Sequence, residues 1–109
     1  MASDPKLVAR LDAMLARRSG VEQRKMFGGV AYMLNGNVCV GVHRNSLIVR
    51  AGERQAGTLL RRTHVRPMDI TGKPLRGWIM VQPDGLRRKA DLACYVDAAL
   101  EFVAALPAK

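Results

Sequence analysis

Two histidines and two cysteines are the side chains with which this chain could carry out acid–base, nucleophilic or metal chemistry. His43 and His64 are its only histidines, and Cys39 and Cys94 stand 55 positions apart. None of the four belongs to a GxSxG elbow, an HExxH helix, a CxxC pair or a cluster with metal-ligand spacing. The sequence therefore predicts no enzyme, no cofactor and no bound metal.

Each of these residues has a simple structural interpretation. His43 stands at a strand end and His64 in a basic loop, where an exposed or locally hydrogen-bonded imidazole is expected. The two cysteines are interpreted as packing residues with free thiols in a reducing cytosol, with a redox role as the alternative. Gly72-Lys73 resembles the tail of a phosphate-binding loop, but Pro74 replaces the required Ser or Thr, so a turn is predicted.

The charge of the chain is its unusual property. It has 18 Lys and Arg against 9 Asp and Glu, a formal net charge of +9. Residues 1–89 hold 17 basic and 6 acidic side chains, whereas residues 90–109 hold 1 and 3. Such a surface is either a solvated face or a contact for an acidic protein or for phosphates. The candidate contact residues are Arg61, Arg62, Arg66, Lys73, Arg76, Arg87, Arg88 and Lys89.

Two classes of function remain after catalysis is set aside. The first is a protein-interaction module, and the second is a sequence-independent nucleic-acid binder. Aromatic residues make up only 5% of the chain and mostly have core spacing, whereas base stacking needs exposed rings among basic residues. Nucleic acid would therefore be held weakly and through phosphates alone. A salt titration separates the two classes, because phosphate contacts lose affinity steeply with salt.

The first third of the chain predicts a helix followed by strands. A helix over about residues 5–18 is indicated by Asp4 as a cap, Pro5 at the first position and a regular apolar face, with Gly20 as the stop. Residues 24–50 have a period of two and contain Asn35-Gly36, a strong hairpin signal. We expect three consecutive antiparallel strands here. In the second, NVCVGV, the valines share the core face and the cysteine lies on the other.

A short motif interrupts the first of these strands. It consists of Met26, Phe27, Gly28 and Gly29. Paired glycines inside a strand are typical of a bulge or a close backbone approach, and a bend is the favoured interpretation. The alternative, a ligand close to the backbone, has no adjacent phosphate-binding pattern in its favour.

The rest of the chain completes one domain over residues 1–109. Helices are predicted over about residues 52–62 and 90–106, strands over 66–70 and 78–81, and a turn over 71–74. The turns between strands are too short for parallel crossovers. The predicted fold is α+β, a two-layer antiparallel sheet with helices on one face, in the order α-β(3)-α-β(2)-α. No signal peptide or apolar stretch long enough to span a membrane is visible, so a cytoplasmic location is expected.

Several strings resemble a known family. They are KMFGGVAYM at residues 25–33, followed by Asn35-Gly36-Asn37, then LIVR at 47–50, RPMD at 66–69 and TGKPLRG at 71–77. Over nearly its whole length the chain resembles the N-terminal domain of the TfoX/Sxy family of bacterial competence regulators. The resemblance implies the same order of elements and a fold similar to type III secretion chaperones.

The resemblance also implies a kind of function. Full-length members act as transcriptional co-regulators of DNA uptake with the cyclic-AMP receptor protein, and they carry a second, helical C-terminal domain. We therefore expect a stand-alone N-terminal domain with protein partners, a transcription factor among them, and a homodimer is compatible with the chaperone-like fold. The resemblance supplies no catalytic residues.

Overall fold

The computed structural model describes residues 4–26, 28–69 and 72–108. Its elements in chain order are α1 (Pro5–Leu15), β1 (Val21–Met26), β2 (Gly29–Leu34), β3 (Asn37–His43), β4 (Ser46–Arg50), α2 (Glu53–Leu59), β5 (Val65–Pro67), β6 (Trp78–Val81) and α3 (Lys89–Ala104), with a 3₁₀ turn (Pro83–Gly85) before α3. The predicted α+β class is confirmed. No helix among these described residues is both long and apolar enough to cross a membrane.

The strands form one antiparallel sheet in the order β1-β2-β3-β4-β6-β5. Strands β1 to β3 are each paired with the next strand in sequence, whereas β4 pairs with β6, which leaves β5 at the edge. Buried residues of all three helices form a single core with the alternating residues of one sheet face, among them Val40, Val49 and Val81. This is the predicted two-layer arrangement, with the helices on one face.

Four strands precede α2, so the prediction of three strands with a bend at Gly28-Gly29 was wrong. Met26 pairs with Gly29 across a two-residue connection, and Gly28 has φ +70°. A two-residue hairpin turn requires a residue with positive φ, which glycine adopts without steric cost. The motif is therefore a hairpin turn between β1 and β2. The second residue of the motif, Phe27, lies outside the described residues.

A β-bulge does occur, but one hairpin later. Tyr32 pairs with Val40 and Met33 with Val38, so Cys39 is an extra residue in β3. An extra residue reverses the alternation of side chains between the two faces. Cys39 is buried in the main core beside Val40, and Val38 is only half-buried. The prediction that Val38 lies on the core face and Cys39 on the other was wrong for this reason.

The helix and strand ends differ from the predicted bounds by a few residues. The Asp4 side chain accepts a hydrogen bond from the amide of Lys6 at 3.0 Å, as its predicted capping role requires. α1 ends at Leu15, so the predicted extension to residue 18 was wrong, and Gly20 follows with φ +84°. The predicted strand at residues 66–70 is shorter and earlier, because β5 ends at Pro67.

Tyr32 connects α1 to the edge of the sheet. Its hydroxyl donates to Asp12 Oδ1 at 2.6 Å and accepts from Gln23 Nε2 at 3.1 Å, and Gln23 Nε2 also donates to Asp12 at 3.2 Å. Burial and the hydrogen bond to Asp12 both raise the pKa of Tyr32 above its ordinary value. The three side chains therefore join β1, β2 and α1, with the tyrosine kept protonated.

Replacing Tyr32 with Phe tests this connection. We expect Tyr32→Phe to lower the free energy of unfolding by about 1–2 kcal/mol, because it removes hydrogen bonds while the ring stays in the core. Chemical denaturation measures the change. The variant Asp12→Ala should have little further effect once Tyr32 is Phe, and strictly additive losses would show that the two side chains are not coupled.

Candidate functional site

An open groove of about 400 Å³ lies between α2 and the segment that leads from β5 into β6. We call it the α2 groove. Its helix side is formed by Ala56, Gly57 and Leu60, and its opposite side by Pro67, Pro74 and Leu75, with Trp78 also in the lining. Apolar side chains thus dominate both walls.

The two most exposed large apolar side chains lie in this groove. Leu60 is 37% exposed and Leu75 is 38% exposed, and no other large hydrophobic residue in the described ranges reaches this exposure. Single exposed leucines are ordinary on protein surfaces, but two that face one groove make a contiguous apolar patch. Such a patch is typical of a binding surface.

Two glycines allow close contacts at the start of α2, and one of them, Gly77, lines the groove. The carbonyl of Gly77 accepts hydrogen bonds from the amides of Ala51 and Gly52 at 2.9 and 3.0 Å. A Cβ on Gly77 would lie 3.2 Å from the Glu53 nitrogen, and one on Gly52 only 2.5 Å from the Phe102 ring. Both glycines also have positive φ, +84° at Gly52 and +83° at Gly77. A side chain at Gly77 would therefore push the start of α2 away from β6, whereas one at Gly52 would clash with α3.

One predicted contact residue, Arg76, lines the groove, and three others are adjacent in sequence to residues that line it. Each of Leu60, Pro67, Pro74 and Leu75 has an exposed basic neighbour in sequence. These neighbours are Arg61, Arg66, Lys73 and Arg76. Two acidic residues oppose them in part, since Glu53 lies 3.8 Å from Arg76 and Asp69 lies 3.4 Å from Arg66. The four basic residues outnumber these two acidic ones, so the segments that border the groove carry a net positive charge, which we call its basic rim.

Arg62 does not belong to this set. Its guanidinium lies over the Tyr95 ring at 5.3 Å, and its Nη1 is 3.7 Å from Cys94 Sγ. A hydrogen bond to Tyr95 raises the pKa of Arg62 above its ordinary value. Arg62 therefore contacts α3.

Two of the three remaining predicted contact residues lie at a second place. Arg87 and Lys89 line a cleft of about 410 Å³ together with Arg10, Ala13 and Met14 of α1. We call it the α1–α3 cleft. Arg88 precedes α3 as its N-cap residue and does not line the cleft. Sequence reasoning missed Arg10, although its spacing from Ala13 and Met14 places the three on one helix face.

The histidines and cysteines, which could carry out acid–base or nucleophilic chemistry, are distributed over β3, the loop before β5 and α3. His43 ends β3, and His64 occupies an exposed loop position with φ +71°. Cys39 is a buried free thiol and Cys94 an exposed one. Across the described ranges, no three His, Cys, Asp or Glu side chains are grouped so that they could hold a metal ion.

Residues 13–103 match the family model of the TfoX N-terminal domain. The chain belongs to that family. No curated protein and no solved structure matches it, so the likeness to secretion chaperones stays a prediction. The TfoX N-terminal family is a family of regulatory domains. Every residue of the α2 groove lies inside the matched region, whereas Arg10 of the α1–α3 cleft precedes it.

Proposed function

We propose that this TfoX N-terminal domain is a competence-related regulatory module that acts by binding another protein through the α2 groove, without turnover of its own. A transcription factor is the partner class that the family resemblance implies, and such a partner would place the module in the cytoplasm. The observation that carries the proposal is the pairing of Leu60 with Leu75 in one groove with a basic rim. Apolar contacts would supply affinity, and the rim would attract an acidic surface.

The double variant Leu60→Ser, Leu75→Ser tests this function. Most of each side chain is buried in the free domain, so we expect each substitution to lower the free energy of unfolding by about 1 kcal/mol, which leaves the fold intact. Partner capture from the source cell should fall about tenfold or more, because apolar anchors carry most of the energy of an interface. The matched control is Arg10→Ser, Lys89→Ser in the α1–α3 cleft. If the control loses the partners and the leucine variant keeps them, the proposed surface is the wrong one.

The α1–α3 cleft supports a second candidate function, weak and sequence-independent binding of nucleic acid. Three cationic side chains line this cleft, and one of them, Arg87, is paired with Asp84 at 2.8 Å. Gel shifts over a range of salt concentrations distinguish the candidates with the same two variants. Nucleic-acid binding is favoured as the function if the gel shift weakens steeply with salt and is lost in the Arg10→Ser, Lys89→Ser variant alone. Light scattering on the same samples reports whether the module forms a homodimer.

A further inference from the structure

We infer that the occupant of the α2 groove is an amphipathic helix of the partner with acidic side chains beside its apolar ones. This inference rests on the proposed function and makes it more specific in two respects. It states the backbone conformation of the bound segment, and it assigns to Glu53 the role of an internal competitor for the ligand.

The conformation follows from the hydrogen bonds of the segment that forms the outer wall of the groove. The amide of Leu75 donates to the Met68 carbonyl at 3.0 Å, and the amide of Trp78 donates to the Leu75 carbonyl at 3.2 Å. The Gly77 carbonyl already accepts two amides of the chain before α2. These groups are therefore engaged inside the protein. Because Pro67 and Pro74 of the lining have no amide hydrogen, none of the residues Pro67, Pro74, Leu75 and Trp78 offers a backbone donor to a ligand.

Strand addition at the adjacent sheet edge is also disfavoured. β5 has only three residues, and its last one, Pro67, has no amide hydrogen. A strand bound here would leave much of its own backbone unpaired. A helix satisfies its backbone internally and needs only an apolar face spaced at i, i+3, i+4 and i+7 to meet Leu60 and Leu75. The apolar walls and the engaged backbone thus favour a helical occupant.

The charge of the occupant follows from the rim. Arg76 lines the groove, and Arg61, Arg66 and Lys73 are exposed and adjacent in sequence to its apolar lining residues. Arg76 forms an ion pair with Glu53 at 3.8 Å, and the side chains of this pair are 91% and 68% exposed. An exposed pair at this distance is weak enough for an incoming carboxylate to replace Glu53. Because Glu53 itself lines the groove, it repels an acidic ligand until that exchange occurs.

The test uses synthetic helical peptides of about 14 residues, long enough for four turns. The first carries leucines at i, i+4 and i+7 with glutamates on both flanks. The second has lysines in place of the glutamates, and the third keeps the glutamates but has a central proline that breaks the helix. Fluorescence anisotropy with the intact protein should show binding of the first peptide and at least about tenfold weaker binding of the other two.

The variant Glu53→Gln should strengthen binding of the acidic peptide by about twofold to fivefold, because it removes the competitor and frees Arg76. Asp84→Asn is the matched control, since it causes the same change in net charge and breaks an exposed pair with Arg87 outside the groove. If both variants bind the acidic peptide more tightly by the same factor, the effect comes from the net charge of the protein, and the role of Glu53 is overturned. Equal binding of the acidic, lysine and proline peptides would overturn the acidic helix.

These outcomes separate the inference from the function on which it rests. If none of the peptides binds, while partner capture still depends on Leu60 and Leu75, the groove is a protein-binding site and its occupant is not an acidic helix. If partner capture does not depend on these leucines, the proposed function itself is wrong, whatever the peptides do.

Discussion

Gly52→Ala and Gly77→Ala are each expected to lower the free energy of unfolding by about 3 kcal/mol. Both residues have positive φ, which costs a side chain backbone strain. The added Cβ would also meet the Phe102 ring at 2.5 Å in the first variant and the backbone of Glu53 at 3.2 Å in the second. Urea denaturation followed by circular dichroism measures the loss.

Gly57→Ala is the matched control for these two variants. Gly57 lies in α2 and lines the same groove, but its φ is not positive and a Cβ there would meet no heavy atom within 4 Å. Alanine has the higher helix propensity, so we expect a gain of about 0.5–1 kcal/mol. Equal stability of all three variants would contradict the close contact of Gly52 with α3 and of Gly77 with the start of α2.

In the folded protein, Cys94 should react with a thiol reagent at least about a hundredfold faster than Cys39. Burial raises the pKa of Cys39 to about 12, and its side chain is almost inaccessible. At pH 8 only about one Cys39 thiol in ten thousand would be ionised, whereas Cys94 is exposed. A thiol reagent followed by mass spectrometry should find one label on the folded protein and two on the unfolded protein. Equal rates for both thiols would contradict the buried position of Cys39.

The raised pKa of Cys39 also makes the free energy of unfolding depend on pH. Unfolded Cys39 loses its proton near its ordinary pKa, whereas the folded thiol keeps its proton up to a pH of about 12. Between these values the folded state binds more protons, so stability falls as the pH rises and is undiminished below the ordinary pKa. Cys39→Ala should remove this part of the pH dependence.

Local signals in the sequence were sufficient for most of the fold. Asn35-Gly36 predicted a hairpin, and the two residues have φ +53° and +84° between β2 and β3. The Gly28 turn was misinterpreted because a glycine inside an alternating run is equally compatible with a bulge and with a tight turn. The bulge at Cys39 could not be predicted, since NVCVGV alternates perfectly and only the pairing with β2 shows the extra residue.

The candidate site was predictable only in its charges. The basic residues could be selected from the sequence, but their division between the α2 groove and the α1–α3 cleft depends on how β6 adds to β4. Leu60 stands four residues after Ala56, a spacing that fits the buried side of a helix, yet its side chain is 37% exposed. That Leu60 and Leu75 line one groove depends on the tertiary structure, for which periodicity carries no signal.

The position of β6 in the sheet also has a consequence for the order of assembly. Strands β1 to β4 form successive hairpins, whose closure costs little chain entropy, but Leu47 of β4 pairs with Val81 of β6, far along the chain. Such non-local pairing is typical of a late folding step. The α2 groove exists only after that step. A ligand bound there would therefore slow unfolding and leave the folding rate almost unchanged.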